Sequence, residues 1–332
     1  MEWVEIRSQK KAIFLFTVLI LINLSLLSLP AAANGEAKPT VVCTNTILSS
    51  FAKQVGGDEV SVISIMPPGI CPAHYDITPA DIYAVSNASL VLSSGIEPWL
   101  ASLVNASGNQ DVTLTTISGS WHPYTNGMIY LNAVKSAMIG VFPEHSSEFE
   151  AKYQLAKDAI NSTAQSIKAE ADALNVSQIN VVCMSWQSEF ISWLGFNITA
   201  TYGPPEALST ADILELTSTA EETSVAIVID NLPSGTAFGA KLASDVGAEH
   251  VILSNFPWAV PNTENYTRMI QYNAEQLFDA VERYRLIQGE ISELTKVLAN
   301  VDLLAKVFMS TTLVFLTVAV VEAAIIIRKP KM

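Results

Sequence analysis

The chain's strongest metal donors and nucleophiles are four histidines and three cysteines. Two of them, Cys71 and His74, stand three residues apart in Pro67-Pro68-Gly69-Ile70-Cys71-Pro72-Ala73-His74-Tyr75. A cysteine in that turn-rich segment has no packing reason to exist, so the pair reads as a donor set. Thiolate and imidazole together suit zinc or copper better than manganese or magnesium. As nucleophile and base the same pair would make an enzyme, but no Gly-x-Ser-x-Gly, phosphate-binding loop or His-Glu-x-x-His accompanies it, and the chain is read as a binding protein, not an enzyme. Cys43 and Cys183 each close an apolar run. As strand ends facing one cleft they are further donors; as packing they are small buried hydrophobes. His122, in Trp121-His122-Pro123-Tyr124, lies in an irregular segment that could turn over a cleft. His145 opens a helix and His250 opens a strand, both away from it. Three cysteines, an odd number, cannot form a disulfide framework.

The elements that must hold these residues alternate in type. Val41-Val42-Cys43 reads as a strand, followed by a helix to Val55, a Gly56-Gly57-Asp58 turn and a second strand over residues 60–66. A helix over 79–86 and a strand over 90–92 follow, ending at Gly95-Ile96-Glu97-Pro98-Trp99. Such alternation argues a parallel α/β sheet. From Ser146 to Asn175 there is no Gly or Pro, and Tyr153, Ala156, Ile160, Thr163, Ile167 and Leu174 recur at helical spacing, which predicts one long amphipathic helix. The α/β pattern then resumes with strands over 179–183, 224–229 and 250–253 and a helix over 237–246. The fold class expected is two parallel-sheet α/β lobes joined by one long helix, a clamshell whose cleft faces the carboxyl ends of the strands. The divisions are an N-terminal lobe (38–145), the inter-lobe helix (146–176), a C-terminal lobe (177–290), a stalk (291–305), a transmembrane helix (306–327) and a tail (328–332).

The ends point to a membrane. Residues 12–30 carry no charge, follow Arg7, Lys10 and Lys11, and precede Ala31-Ala32-Ala33. That is the layout of a signal peptide over residues 1–33, an uncleaved anchor being the alternative. No cysteine follows the run to take a lipid. Residues 307–327 hold a single charge, Glu322, and as a helix would measure roughly 31 Å, enough to span hydrocarbon. The basic tail Arg328-Lys329-Pro330-Lys331 then lies in the cytoplasm and the lobes outside. Glu322 reads either as a carboxylate reaching toward the interface near this tail or as a buried partner for another membrane subunit. Six Asn-x-Ser/Thr triplets in the middle of the chain, at Asn87, Asn105, Asn161, Asn175, Asn197 and Asn265, fit a glycosylated cell-surface protein. Residues 34–305 hold 11 basic and 29 acidic side chains, a net charge of −18, which excludes nucleic acid as a partner.

Several spaced motifs carry a family resemblance: Val41-Val42-Cys43-Thr44-Asn45-Thr46-Ile47-Leu48, Gly56-Gly57-Asp58, Met66-Pro67-Pro68-Gly69, residues 72–81 and Gly95-Ile96-Glu97-Pro98-Trp99-Leu100. In order, they resemble the metal-binding solute receptors of zinc and manganese ABC importers over residues 38–282. The resemblance implies a rigid clamshell that captures a divalent ion and passes it to an ABC permease driven by a cytoplasmic ATPase. The family's usual ligands are three histidines and an acidic residue, and these positions are altered here. The first histidine is displaced by one residue to His74, with Cys71 in place of the aspartate before it. The His-x-Trp-Leu-Asp pattern is matched to Met128-Ile129-Tyr130-Leu131-Asn132, the third ligand falls on Met184, and the acidic one on Asn255. The resemblance therefore implies Cys71, His74, Met128 and Met184 as metal ligands, with Cys43, His122, Cys183 and Asn255 as further candidates. A soft set of this kind favours copper, zinc being the family's own ion. The other reading keeps the fold without the metal, as a receptor for another small solute or a surface adhesin.

Overall fold

The computed structural model describes residues 38–328. The expected signal segment and all but the first residue of the basic tail lie outside them. The N-terminal lobe contains β1 (Thr40–Cys43), α1 (Thr46–Gly56), β2 (Ser61–Ser64), α2 (Pro79–Ser86), β3 (Leu90–Ser93), α3 (Leu100–Ser107) and β4 (Thr113–Thr116). Its four strands are all parallel, in the order β2-β1-β3-β4. Next come α4 (Tyr124–Val141) and the long α5 (Ser146–Ala173), two residues shorter than its Gly- and Pro-free run. The C-terminal lobe repeats the design with β5 (Asn180–Met184), α6 (Ser188–Leu194), β6 (Asn197–Tyr202), α7 (Thr210–Glu222), β7 (Ile227–Asn231), α8 (Ala237–Val246) and β8 (Glu249–Leu253), in the parallel order β6-β5-β7-β8.

Local chemistry explains where these elements begin. The Asn45 side chain accepts from Leu48 N and caps α1, while Thr78 with Asp81 and Ser209 with Asp212 form reciprocal capping boxes at α2 and α7. The central strands β1, β3, β5 and β7 are apolar along most of their length because helices cover both faces. Alternation assigns Val41 and Cys43 to the main core and Val42 to a smaller one beneath α2 and α3; on β5, Val181 and Cys183 join the main core while Val182 and Met184 pack with Tyr202, Leu216 and Leu242.

The main core runs through both lobes, drawing on α1, α4, α5 and the first turns of α9 (Tyr266–Arg328). On α4, a Cβ built on Gly127 would overlap the Tyr266 ring of α9. Gly127→Ala is therefore expected to destabilise the protein by about 1–3 kcal/mol through overpacking, read as a lower urea midpoint with an unchanged slope. Beyond Tyr284, α9 leaves the core, and its side chains from Arg285 to Ala324 are exposed. With a mean hydropathy of 2.0 over its most apolar 18 residues, it is the one helix among the described residues long and apolar enough to cross a membrane.

Candidate metal and solute site

The carboxyl ends of β5, β7 and β8 bring together three amides, and the segment before α4 lays an imidazole beside them. Gln187, three residues past the end of β5, donates through Nε2 to Asn231 Oδ1 at 3.0 Å and to Asn255 Oδ1 at 2.8 Å. Asn231 in turn donates to Ser234 Oγ. His122 is buried against Phe190 of α6 and Tyr266 of α9, with ring centroids at 5.5 and 6.4 Å. Its position is fixed by its neighbour: Trp121 Nε1 donates to the Asn255 carbonyl at 2.9 Å, the Trp121 carbonyl accepts from Tyr266 Oη at 2.8 Å, and the indole packs edge-on against Tyr130 and at a tilt against Phe256. These bonds join the segment before α4 to the C-terminal lobe.

Three buried atoms in this cluster have no hydrogen-bond partner: both ring nitrogens of His122 and Oε1 of Gln187. Buried polar atoms are nearly always paired, so orphans gathered at one place make this cluster the candidate site. Burial lowers the His122 pKa to about 4, with the side chain of the adjacent Asn255 acting in the opposite direction. The ring is therefore neutral at physiological pH, with one lone pair and one N–H to offer. The sign of the linkage follows. Between pH 6.5 and 4 the unfolded chain binds a proton at this residue and the folded one does not, so stability is fully present above 6.5 and falls toward 4, by about 3 kcal/mol in all. Thermal unfolding of the wild type across that window should show the fall, and a variant lacking the imidazole should lose that part of it.

The N-terminal lobe holds a second buried polar group at the ends of β1 and β3, fully satisfied. Glu97 accepts from Thr44 Oγ1 at 2.6 Å, Asn45 Nδ2 at 3.1 Å and the backbone N–H groups of Ser94 and Ile96. Three of these four bonds fall on Oε1 and one, from Ile96, on Oε2, and together they shape the loop after β3.

The residues singled out in the sequence separate into groups. His122 and Asn255 come together in the cluster. Cys71 and His74 lie outside it on their own loop, the cysteine half-buried and the histidine exposed, with Trp99 Nε1 donating to the Pro72 carbonyl between them at 3.0 Å. Met184 does not face the cluster: the alternation of β5 directs it into the core under α7 and α8. Met128 is half-buried one turn inside α4 and packed against the main core. Cys43 and Cys183 are wholly buried in the main core, where desolvation raises both thiols, Cys183 to about 12, and disfavours a thiolate ligand. Among the described residues no group of three or more His, Cys, Asp or Glu side chains is arranged to hold a metal. The sequence reading passed over Gln187 and Asn231. The available signal was a polar residue at or just beyond the carboxyl end of a buried strand.

A family model described as the periplasmic component A of a zinc-uptake complex matches residues 41–280. The chain belongs to this family. Its relatives are substrate-binding proteins of ABC importers, not enzymes. They include the metal ABC transporter substrate-binding lipoprotein SloC of Streptococcus mutans, 28% identical over 42% of this chain and 55% of its own length. The manganese-transporter lipoprotein PsaA of Streptococcus anginosus is 28% identical over 40% of the chain and 53% of its own length. The chain thus spans about half the length of these curated relatives. Among solved structures, the periplasmic zinc-binding protein TroA of Treponema pallidum superposes with a TM-score of 0.64 at 18% identity, covering 74% of this chain and 99% of TroA. That likeness shows the fold: two α/β lobes with a long helix between them.

Proposed function

We propose that this member of the zinc-uptake family is a membrane-tethered receptor that captures a transition-metal ion at His122 and delivers it to an ABC permease and its ATPase. The observation that carries the reading is the orphaned acceptor set, a neutral imidazole nitrogen and the Gln187 Oε1, buried where the loop before α4 meets the C-terminal lobe. A neutral imidazole is the commonest protein ligand for zinc and copper, and the proposed ion is one of these. Cys71 and His74, on the loop after β2, are a thiol and an imidazole outside the main core, and they would join the shell only if that loop moved to the cluster. In this reading α9 takes the place of the relatives' lipid anchor, keeps the lobes outside the cell and leaves the basic tail in the cytoplasm. The six sequon asparagines are exposed or half-buried, as glycosylation requires.

A second reading has an observation of its own. The cluster contains no charged group, and moving a dication from water into a buried neutral site is costly. Imidazole and amides without a carboxylate also suit a small neutral polar solute. Titration of the full chain in detergent, after chelator treatment, separates the two readings. One equivalent of zinc or Cu(I), with manganese bound at least about 100-fold more weakly, is the expected result. Cys71→Ser should weaken binding less than loss of the imidazole, because Cys71 is not packed into the cluster. No uptake of any ion would overturn the metal reading in favour of an organic solute.

A further inference from the structure

Beyond Tyr284, α9 carries apolar side chains that nothing in the fold covers. Ile287, Ile291, Leu294, Leu298 and Val301 are between 46 and 71% exposed. They alternate at steps of four and three from 287 to 301, while the exposed Leu286, Val297, Leu303 and Leu304 lie off this line. The series extends back to Tyr284 and on through Ala305, Phe308, Thr312, Phe315, Ala319 and Glu322. A period of 3.5 is the signature of a left-handed coiled coil; a helix lying singly on an apolar surface would follow 3.6 and drift about 20° per heptad from this line.

Two further observations fix the occupant. None of the eight charged side chains from Glu282 to Lys306 falls on the seam. Lys296 pairs with Glu293 and Lys306 with Asp302 on the same helix, at 2.7 Å each. Independently, Glu322, the single charge in the apolar run, falls on the seam, directly following the small Ala319. An intramembrane carboxylate facing lipid is costly, whereas on the seam it meets its own counterpart and can share a proton with it.

We propose that residues 284–322 of α9 form a parallel coiled coil with a second copy of this chain, so that the receptor stands in the membrane as a homodimer. Two copies anchored through the same helix are held parallel and in register, so each seam residue meets its own equivalent. At about 60–120 Å² of apolar surface per aliphatic side chain, the five exposed stalk residues bury on the order of 1,000 Å² between two copies, the size at which specific pairs become stable. The inference rests on α9 and on its reading as a membrane span, and it is independent of what the lobes bind.

The test is disulfide trapping of the full chain in lipid vesicles with diamide as oxidant, in a Cys71→Ser background that removes the one partly exposed thiol. Leu294→Cys and Leu298→Cys, on the seam, are expected to give covalent dimers. Lys296→Cys, on the outer face, should give at least about ten-fold less. Sedimentation of the unmodified chain in detergent should give two copies per particle, and Leu294→Glu combined with Leu298→Glu should give one. Equal trapping at all three positions, or a monomer in both measurements, would overturn the proposal and leave the stripe to lipid or to the permease. Resistance of the vesicle-bound chain to alkaline extraction reports the membrane span separately, so failure of the anchor and failure of the dimer are distinguishable.

Discussion

Replacing His122 by leucine is expected to weaken ligand capture by at least about ten-fold while leaving the fold at least as stable as the wild type. The two effects have one cause. Both ring nitrogens are buried without partners, so in the empty protein the imidazole has lost its hydration and received nothing in return, at a cost of about 1–3 kcal/mol. Leucine fills the space between Phe190 and Tyr266 without that cost. The ligand loses its imidazole contact, which at about 1.5–3 kcal/mol for a charge-assisted bond means roughly a 10- to 100-fold weaker association. A stability gain beside a binding loss is the signature of a site held at the expense of the fold. Parallel titration and thermal unfolding of the two proteins check it; a variant that binds normally removes His122 from the site.

Trp121→Ala should do the opposite and damage the fold itself. The indole is nearly buried, packs against Tyr130 and Phe256 and donates to the Asn255 carbonyl, while the Trp121 backbone accepts from Tyr266. Removing a buried tryptophan side chain costs about 3–5 kcal/mol, which for a domain of this size lowers Tm by roughly 10 °C. Because the same residue positions His122, ligand affinity should fall too, although Trp121 offers the ligand no atom of its own. Trp121→Phe, which keeps much of the ring packing and loses the N–H, should recover most of the stability.

Much of the architecture was legible in the sequence. The helix over 79–86 begins at Thr78 and Pro79 and the helix over 237–246 ends before Gly247, so their bounds follow from caps that residue type alone announces. The long α5 was readable from an uninterrupted helical period. The edge strands β4 and β6 were not, because Thr113–Thr116 and Asn197–Tyr202 are rich in threonine and other polar residues, and parallel pairing with a neighbour makes them strands. The candidate site was legible only in part. His122 and Asn255 stood in the sequence as candidates, but their convergence depends on Trp121 bridging to a segment 134 residues away. Met184 shows the opposite failure. A match of position placed it at the cleft, and a shift of one residue along a strand reverses the face, which sent its side chain into the core.

The most direct test of the account is crystallographic: full-length protein soaked with zinc, with anomalous diffraction collected at the zinc edge. The account predicts one strong peak at zinc–nitrogen distance, about 2.0–2.1 Å, from a His122 ring nitrogen. An anomalous map without a peak at His122, from crystals in which zinc is seen elsewhere or not at all, would contradict the claim that this cluster captures the metal.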